Sequence, residues 1–279
     1  MRGPFKSLVL LNTLQTTQSV HLVRCYDSAL AARLGMEVAT GSSLAQERGL
    51  ILRLGSLGDR LELAYGPACD GEAKGENPFS IDFCSPSARV RQAQAQNELS
   101  VKALGKASRV IDLTAGLGRD SVMFAASRKF NEVVMVERNE VLFFLLQDAV
   151  KRLKNSNTPS VGERIRGVIK EDGCSFIPAP ITGDTAVFLD PMYPEGSVGR
   201  KSAVKKETQI LHRLVDPQDK DAENENNAAL FESASRIANT RIVVKRPLNA
   251  KPLDLRGLLP HESLSGSTQR FDIYFTSRL

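Results

Sequence analysis

The stretch Arg109-Val110-Ile111-Asp112-Leu113-Thr114-Ala115-Gly116-Leu117-Gly118-Arg119-Asp120 decides the fold of this chain. An apolar run meets an acid and then a tight Gly-x-Gly turn, and an apolar-periodic segment from Val122 to Phe130 follows. That order predicts the strand, ligand-cradling turn and helix of a doubly wound α/β domain, with a nucleotide-like cofactor at the turn. Glycine at 116 and 118 lets the backbone turn sharply and approach a ligand more closely than a β-carbon allows. Ser121 stands where the dinucleotide fingerprint has its third glycine, so the turn by itself fits an ordinary β-α connection too.

The segments downstream favour the cofactor. Glu132 to Arg138 reads as a buried strand whose acid, Glu137, lies about 20 residues beyond the glycines, where such folds place the carboxylate that grips ribose hydroxyls. Val141 to Leu153 is a helix, with Leu142, Phe143, Phe144, Leu145 and Leu146 expected in the core. Ile165 to Ile169 is a third strand, closed by Glu171-Asp172-Gly173. There Asp172 either accepts from an adenine amino group or only forms an Asp-Gly turn. Thr185 to Leu189 is a fourth buried strand and runs into Asp190-Pro191-Met192-Tyr193-Pro194. Two prolines stiffen that loop, the carboxylate and a carbonyl can accept N–H groups, and the aromatic ring can stack on a planar base. Asp216 to Asn227 reads as a solvated acidic loop, Asn226 to Ala238 as a helix, Arg241 to Pro247 as a fifth strand with a basic end, and Arg270 to Phe275 as a last strand. Five β-α steps and a terminal strand suit the methyltransferase version of the doubly wound sheet better than a dehydrogenase.

Upstream, Leu50 to Leu54 and Arg60 to Tyr65 alternate apolar and polar around Gly55, Gly58 and Asp59, which predicts a hairpin. His21 to Val23 and Phe79 to Phe83 read as short strands, and Ala29 to Leu34 as a turn or two of helix. Ser85 and Pro86 open a helix expected to run to Leu104, with Arg89 and Arg91 near its start as possible phosphate contacts. The expected organisation is a tail or transit segment at 1–18, a small α+β lobe at 19–84 and a large α/β domain at 85–279. Four cysteines without a C-x-x-C pair and three scattered histidines speak against a metal site or disulfide framework. No apolar run approaches the roughly 20 residues of a membrane span. A formal charge of +5 favours polyanionic partners.

Taken together, the 112–120 turn, Glu137-Arg138-Asn139, Leu189 to Pro194, Lys201 to Glu207, Val244 to Pro247 and Arg270 to Tyr274 form an ordered set. With that set the chain resembles the S-adenosylmethionine-dependent guanine-N2 methyltransferases of small-subunit ribosomal RNA, the RsmJ type. The resemblance implies a Rossmann-like class I methyltransferase sheet, mostly parallel, with an antiparallel last strand. It puts cofactor contacts on Arg119, Asp120, Glu137, Arg138, Asp172, Gly173 and Asp190, beside Asp112, Gly116 and Gly118 of the turn. Asp190 and the Pro191 carbonyl are expected to accept the two N–H groups of the guanine amine, while Tyr193 stacks on the base. Lys201, Lys205 and Lys206, with Arg89 and Arg91, are expected to contact RNA.

The partner implied is small-subunit ribosomal RNA or the small subunit itself, with no metal and no membrane. The compartment is the cytoplasm for a bacterial chain, or a mitochondrial or plastid matrix if residues 1–18 are a transit segment. Against the family, Ala88 to Gln94 replaces a basic, glycine-rich segment, and Glu195 to Gly199 is less basic than usual. Rival readings are methylation of a DNA adenine or a protein glutamine, a nicotinamide-dependent oxidoreductase, and an RNA-binding protein with a vestigial cofactor fold.

Overall fold

Alternation with period two builds the first of two compact units, which extends to Ile81. The structure, a computed structural model, describes residues 8–9, 23–25, 30, 32, 50–55, 58–65, 78–178, 183–191, 220–253 and 255–279. In the first unit β1 (Leu8–Val9), β2 (Val23–Cys25), β3 (Leu50–Leu54) and β4 (Leu61–Tyr65) form one sheet in that order. The expected hairpin is β3 and β4, paired antiparallel from Leu50 opposite Tyr65 to Leu54 opposite Leu61. Leu52 and Leu63 face each other across it and are both buried, as one-faced burial of an alternating strand requires.

Three expectations change in and beside this unit. Leu8 and Val9 pair with Arg24 and Cys25, so part of the expected tail is a sheet strand; two apolar residues gain ladder hydrogen bonds that composition does not announce. The strand expected to begin at His21 is described from Val23 to Cys25. The strand expected at 79–83 reduces to a single bridge between Phe79 and Leu63, because the Asp82 carboxylate accepts from the Cys84 N–H at 2.8 Å and bends the chain.

The second unit begins at Asp82. Its helices and strands in chain order are α1 (Pro86–Ala93), α2 (Leu99–Ala103), β5 (Arg109–Asp112), α3 (Arg119–Ala126), β6 (Glu132–Glu137), α4 (Glu140–Lys154), α5 (Pro159–Arg164), β7 (Ile165–Lys170), β8 (Thr185–Leu189), α6 (Lys220–Ile237), β9 (Arg241–Pro247), β10 (Glu262–Ser265) and β11 (Gln269–Phe275). The sheet order is β10-β11-β9-β8-β5-β6-β7, parallel from β9 to β7, with β11 antiparallel to β9 and β10 antiparallel to β11. This is the Rossmann-like class I arrangement. Central parallel strands are covered on both faces, hence their uninterrupted apolar sequences. On one face Ile111, Val134, Val187, Ile242 and Val244 pack with Leu230, Phe231, Ala234 and Ile237 of α6. On the other, Phe124 of α3 meets Phe188 edge-on at 5.0 Å.

Ser85 caps α1 as expected, accepting from the Ala88 N–H at 3.3 Å, but the helix expected to reach Leu104 breaks at Ala93. A 3₁₀ turn at Ala95–Asn97 and the extended backbone of Glu98 separate it from α2. The acidic run expected as a loop to Asn227 is helical from Lys220. The edge strand β10 had no sequence signal; its Ser263 hydroxyl donates to the buried Asp272, which also binds Arg270.

The order of strands reverses at β5, with β6 on one side and β8 on the other. A ligand crevice belongs at the carboxyl ends of the strands at that switch point. The turn there depends on two glycines for different reasons. Gly118 has φ +68°, and a β-carbon on it would lie 2.5 Å from Leu146 Cδ1 and 3.0 Å from Phe83 Cζ. Gly116 has φ +53°, but its nearest neighbour would be the Thr114 carbonyl at 3.8 Å. Gly118→Ala should therefore lose about 2 to 4 kcal/mol through overpacking and strain, and Gly116→Ala only about 1 to 2 kcal/mol of backbone strain. Urea denaturation midpoints separate the two; equal losses would contradict the packing role of Gly118.

Candidate active site at the carboxyl ends of the parallel strands

Asp112, the last residue of β5, is 2% exposed and collects three hydrogen bonds. The Thr114 N–H and hydroxyl donate to its Oδ1 at 3.0 and 3.4 Å, and the Ser121 hydroxyl donates to Oδ2 at 2.5 Å. Burial pushes its pKa up to about 7, against the lowering effect of the Ser121 and Thr114 bonds. The Thr114 hydroxyl in turn accepts from the Asp190 N–H at 2.6 Å, which ties the end of β8 to the turn after β5. Thr114 and Ser121 did not stand out in the sequence, although both lie in or beside the decisive turn. Their signal is the short polar residue placed two and nine positions beyond a strand-ending acid.

Glu137 ends β6 and is buried at 7% exposure. Its Oε2 accepts from the Gly116 N–H at 2.7 Å and its Oε1 from the Asn139 N–H at 2.7 Å. Asn139 then caps α4, accepting from Val141 and Leu142. Burial raises the Glu137 pKa, while the Asn139 and Gly116 amides and the Arg138 charge oppose the rise. Each oxygen keeps a second lone pair, so the carboxylate can still accept from a hydroxyl pair. Arg138, the next residue, is exposed, as is Arg119 at the start of α3.

Asp172 follows β7, and its Oδ1 accepts from the Cys174 N–H at 2.9 Å, the Asp-Gly turn considered from sequence. Gly173 is demanded by packing, since a β-carbon there would lie 2.6 Å from the Leu113 carbonyl and 2.8 Å from Leu230 Cδ1. Burial pushes the neighbouring Cys174 thiol up to about 12. Its Sγ donates to Asn226 Oδ1 at 3.0 Å, so this cysteine is a tethered thiol rather than a nucleophile.

Asp190 follows β8 and is half-buried, with the buried Pro191 after it. Lys245 of β9 donates to Asp190 Oδ2 at 2.8 Å and to Asp120 Oδ2 at 2.7 Å. Burial raises the Asp190 pKa, with Lys245 opposing and Asp120 adding to the rise. Burial works against the Lys245 ammonium, but Asp190 and Asp120 outweigh it and hold its pKa above the ordinary lysine value. Lys245 joins the site although the sequence marked it only as part of a basic strand end and of the Val244 to Pro247 motif, with no site role. Pairing between strands brings it there: Leu189 lies opposite Val244, so the next residues on both strands are neighbours.

Asp112, Gly116, Gly118, Arg119, Asp120, Glu137, Arg138, Asp172, Gly173, Asp190 and Pro191 thus lie at the carboxyl-end rim of β5 to β8. Arg89 and Arg91 are exposed on α1, which packs against α3. Tyr193, Lys201, Lys205 and Lys206 lie outside the described residues. Among the described residues no group of three or more His, Cys, Asp or Glu side chains could hold a metal ion, and no helix is long and apolar enough to cross a membrane.

The raised pKa of Asp112 has a definite sign in stability. The folded state binds its proton more tightly than the unfolded chain, so this contribution is full below pH 4 and is lost as pH rises through about 7. Relative to the parent, Asp112→Asn should gain about 1 kcal/mol per pH unit between pH 5 and 7. Urea unfolding of both proteins at several pH values measures the difference; a constant gap would mean that Asp112 titrates in its ordinary range.

The site has the donor set for a nucleoside-bearing sulfonium: carboxylates at adjacent strand ends, and open space over Gly116 where a β-carbon would otherwise stand. Over residues 43–276 the chain matches the family described as "Putative SAM-dependent methyltransferase". It is 33% identical over 257 residues to the ribosomal RNA small subunit methyltransferase J of Chromohalobacter salexigens, covering 88% of this chain and 91% of that one. It is 31% identical to the protein of the same name from Hydrogenovibrio crunogenus, covering 91% and 92%. Among solved structures, a SAM-dependent methyltransferase from Neisseria gonorrhoeae superposes with a TM-score of 0.62 at 26% identity, covering 90% of this chain and 92% of that one. A fold with its acids at the switch point, matched along nearly its whole length, leaves one assignment: the chain belongs to the S-adenosylmethionine-dependent methyltransferase family, among relatives of the ribosomal RNA small subunit methyltransferase J type.

Proposed function

We propose that this enzyme methylates the exocyclic N2 of a guanine in small-subunit ribosomal RNA. The relatives' names supply the class of RNA, and their bacterial sources favour the cytoplasm over an organelle matrix. Neither DNA nor protein appears as the substrate in those names, and the family sets aside nicotinamide chemistry. The observation that carries the choice of nucleophile is Asp190. One of its oxygens is held by Lys245, the other accepts no hydrogen bond among the described residues, and a buried proline stiffens the chain immediately after it.

When bound, S-adenosylmethionine supplies an electrophilic methyl group on sulfur. Glu137 would hold its ribose hydroxyls, with Asp112 and Gly116 shaping the turn beneath, Gly118, Arg119, Asp120 and Arg138 flanking it, and Asp172 and Gly173 bordering the adenine. The guanine amine is a poor nucleophile because its lone pair is delocalised into the ring. Asp190 and the Pro191 carbonyl accept its two N–H groups and localise that pair, and Tyr193 stacks on the base to fix the line of attack. As the methyl–sulfur bond breaks, the amine nitrogen would gain the methyl and shed one proton to Asp190, from which it passes to solvent; acceleration comes from orientation and preplaced charge rather than from a strong base. The base must leave its stack to reach these groups, which costs least in single-stranded or loop RNA. Arg89 and Arg91 supply phosphate contacts on a helix with no buried residue and no acid in its first turn, and Lys201, Lys205 and Lys206 are further RNA-contacting candidates from the sequence.

Asp190→Asn preserves shape and one acceptor oxygen while removing the charge that stabilises the developing positive nitrogen. Single-turnover methylation of small-subunit RNA should slow by roughly a hundredfold or more. RNA affinity and its salt dependence should stay as in the parent, since no basic residue changes. A parental rate would remove Asp190 as the amine acceptor.

A further inference from the structure

We infer that Lys245 is a positioning residue for methyl transfer, clamping one oxygen of Asp190 so that the other is held ready for the substrate amine. The inference rests on the reading of Asp190 given above. Residues alternate across β9: Ile242 and Val244 pack with α6, whereas Lys245 reaches Asp120 on α3, the opposite face. There its ammonium bridges two carboxylates that start from different elements, Asp120 at 2.7 Å and Asp190 at 2.8 Å. Its side chain is only 19% exposed, between Asp120 at 15% and Asp190 at 33%.

A lysine desolvated on a central parallel strand serves the sheet less well than an apolar residue of similar length would. What it does serve is the carboxylate at the end of the neighbouring strand. The backbone N–H of Asp190 is held by the Thr114 hydroxyl in the turn after β5 and its Oδ2 by Lys245 of β9, so backbone and side chain are each fixed by a neighbouring element. The charged groups facing Asp190 among the described residues are Lys245 from β9, Asp120 from α3 and Asp112 from β5. Lys245 is the one cation of that set. Without it the acids crowd one another, and Asp190 holds its proton to higher pH.

The test uses the full chain, methyl-labelled S-adenosylmethionine and transcribed small-subunit ribosomal RNA. Single-turnover rates are followed from pH 5.5 to 9 for Lys245→Met, Lys245→Arg, Asp190→Asn and the Lys245→Met/Asp190→Asn double variant, with urea midpoints to confirm folding. At saturating cofactor Lys245→Met should be slower by roughly ten- to a hundredfold, with the KM for S-adenosylmethionine within about twofold of the parent. The acid limb of its rate profile should move up by about one pH unit or more. Lys245→Arg should restore most of the rate, and the double variant should be no slower than Asp190→Asn alone. An effect confined to the cofactor KM, an unmoved acid limb, or a double variant slowed by the product of the two single effects would each overturn the positioning role. A slow Asp190→Asn beside a parental Lys245→Met would overturn the clamp and leave the amine-acceptor reading standing. A parental Asp190→Asn would overturn both. Should Lys245→Met fail to fold, Lys245→Arg decides alone: a longer, forked cation that left the rate at the level of Asp190→Asn would overturn the clamp as well.

Discussion

The enclosed carboxyl group of Asp112 is the constraint on which the rest of the site is arranged. It ends the strand where the sheet order reverses, and the turn that follows folds back to satisfy it. Thr114 and Ser121 meet its two oxygens, which sets the path of residues 113 to 121 and hence the positions of Gly116, Gly118 and Asp120. Because Thr114 also receives the Asp190 N–H, the same bonds register the end of β8 against the end of β5. A buried acid of this kind costs stability when ionised, and the fold tolerates it because hydroxyls and a backbone amide surround it.

Three acids at neighbouring strand ends sit in three different environments, and the differences match the roles proposed for them. Asp112 is met by hydroxyls and one amide and holds its proton toward neutrality, which suits a structural acceptor. Glu137 is met by the amides of Gly116 and Asn139, which favour its charged form, as a carboxylate that grips neutral hydroxyls requires. Asp190 is met by a full positive charge on Lys245 and is the most exposed of the three. That combination suits a group that must remain anionic beside an incoming amine. β9 lies beside β8 and carries Lys245 to the carboxylate of Asp190.

Much of this architecture was legible in the sequence because parallel strands buried on both faces give apolar runs, three of which, in β5, β6 and β8, meet an acid at their carboxyl end. The strands β5, β6, β8 and β9 and the glycine turn follow from that pattern alone. What escaped depended on distant pairing. Lys245 is two residues from the end of a strand whose basic terminus was plain, yet nothing local says that it meets Asp120 and Asp190 rather than solvent. The edge strand β10 exists because β11 offers it a ladder, and Leu8–Val9 is a strand because Arg24 and Cys25 do. The helix expected from Ser85 to Leu104 was overestimated since helical periodicity does not report the extended backbone at Glu98. Gly173, read as a cofactor contact, has a packing reason in the Leu113 carbonyl that only the fold reveals.

The central claim is that these strand ends direct a methyl group to the amine of guanine. The most direct measurement is mass spectrometry of nucleosides from small-subunit ribosomal RNA after incubation with the full chain and isotopically labelled S-adenosylmethionine. Label recovered as N2-methylguanosine, and absent when Asp190 is replaced by Asn, is the expected result. Label on another nucleoside, or on DNA or protein offered in parallel but not on guanine, would contradict it.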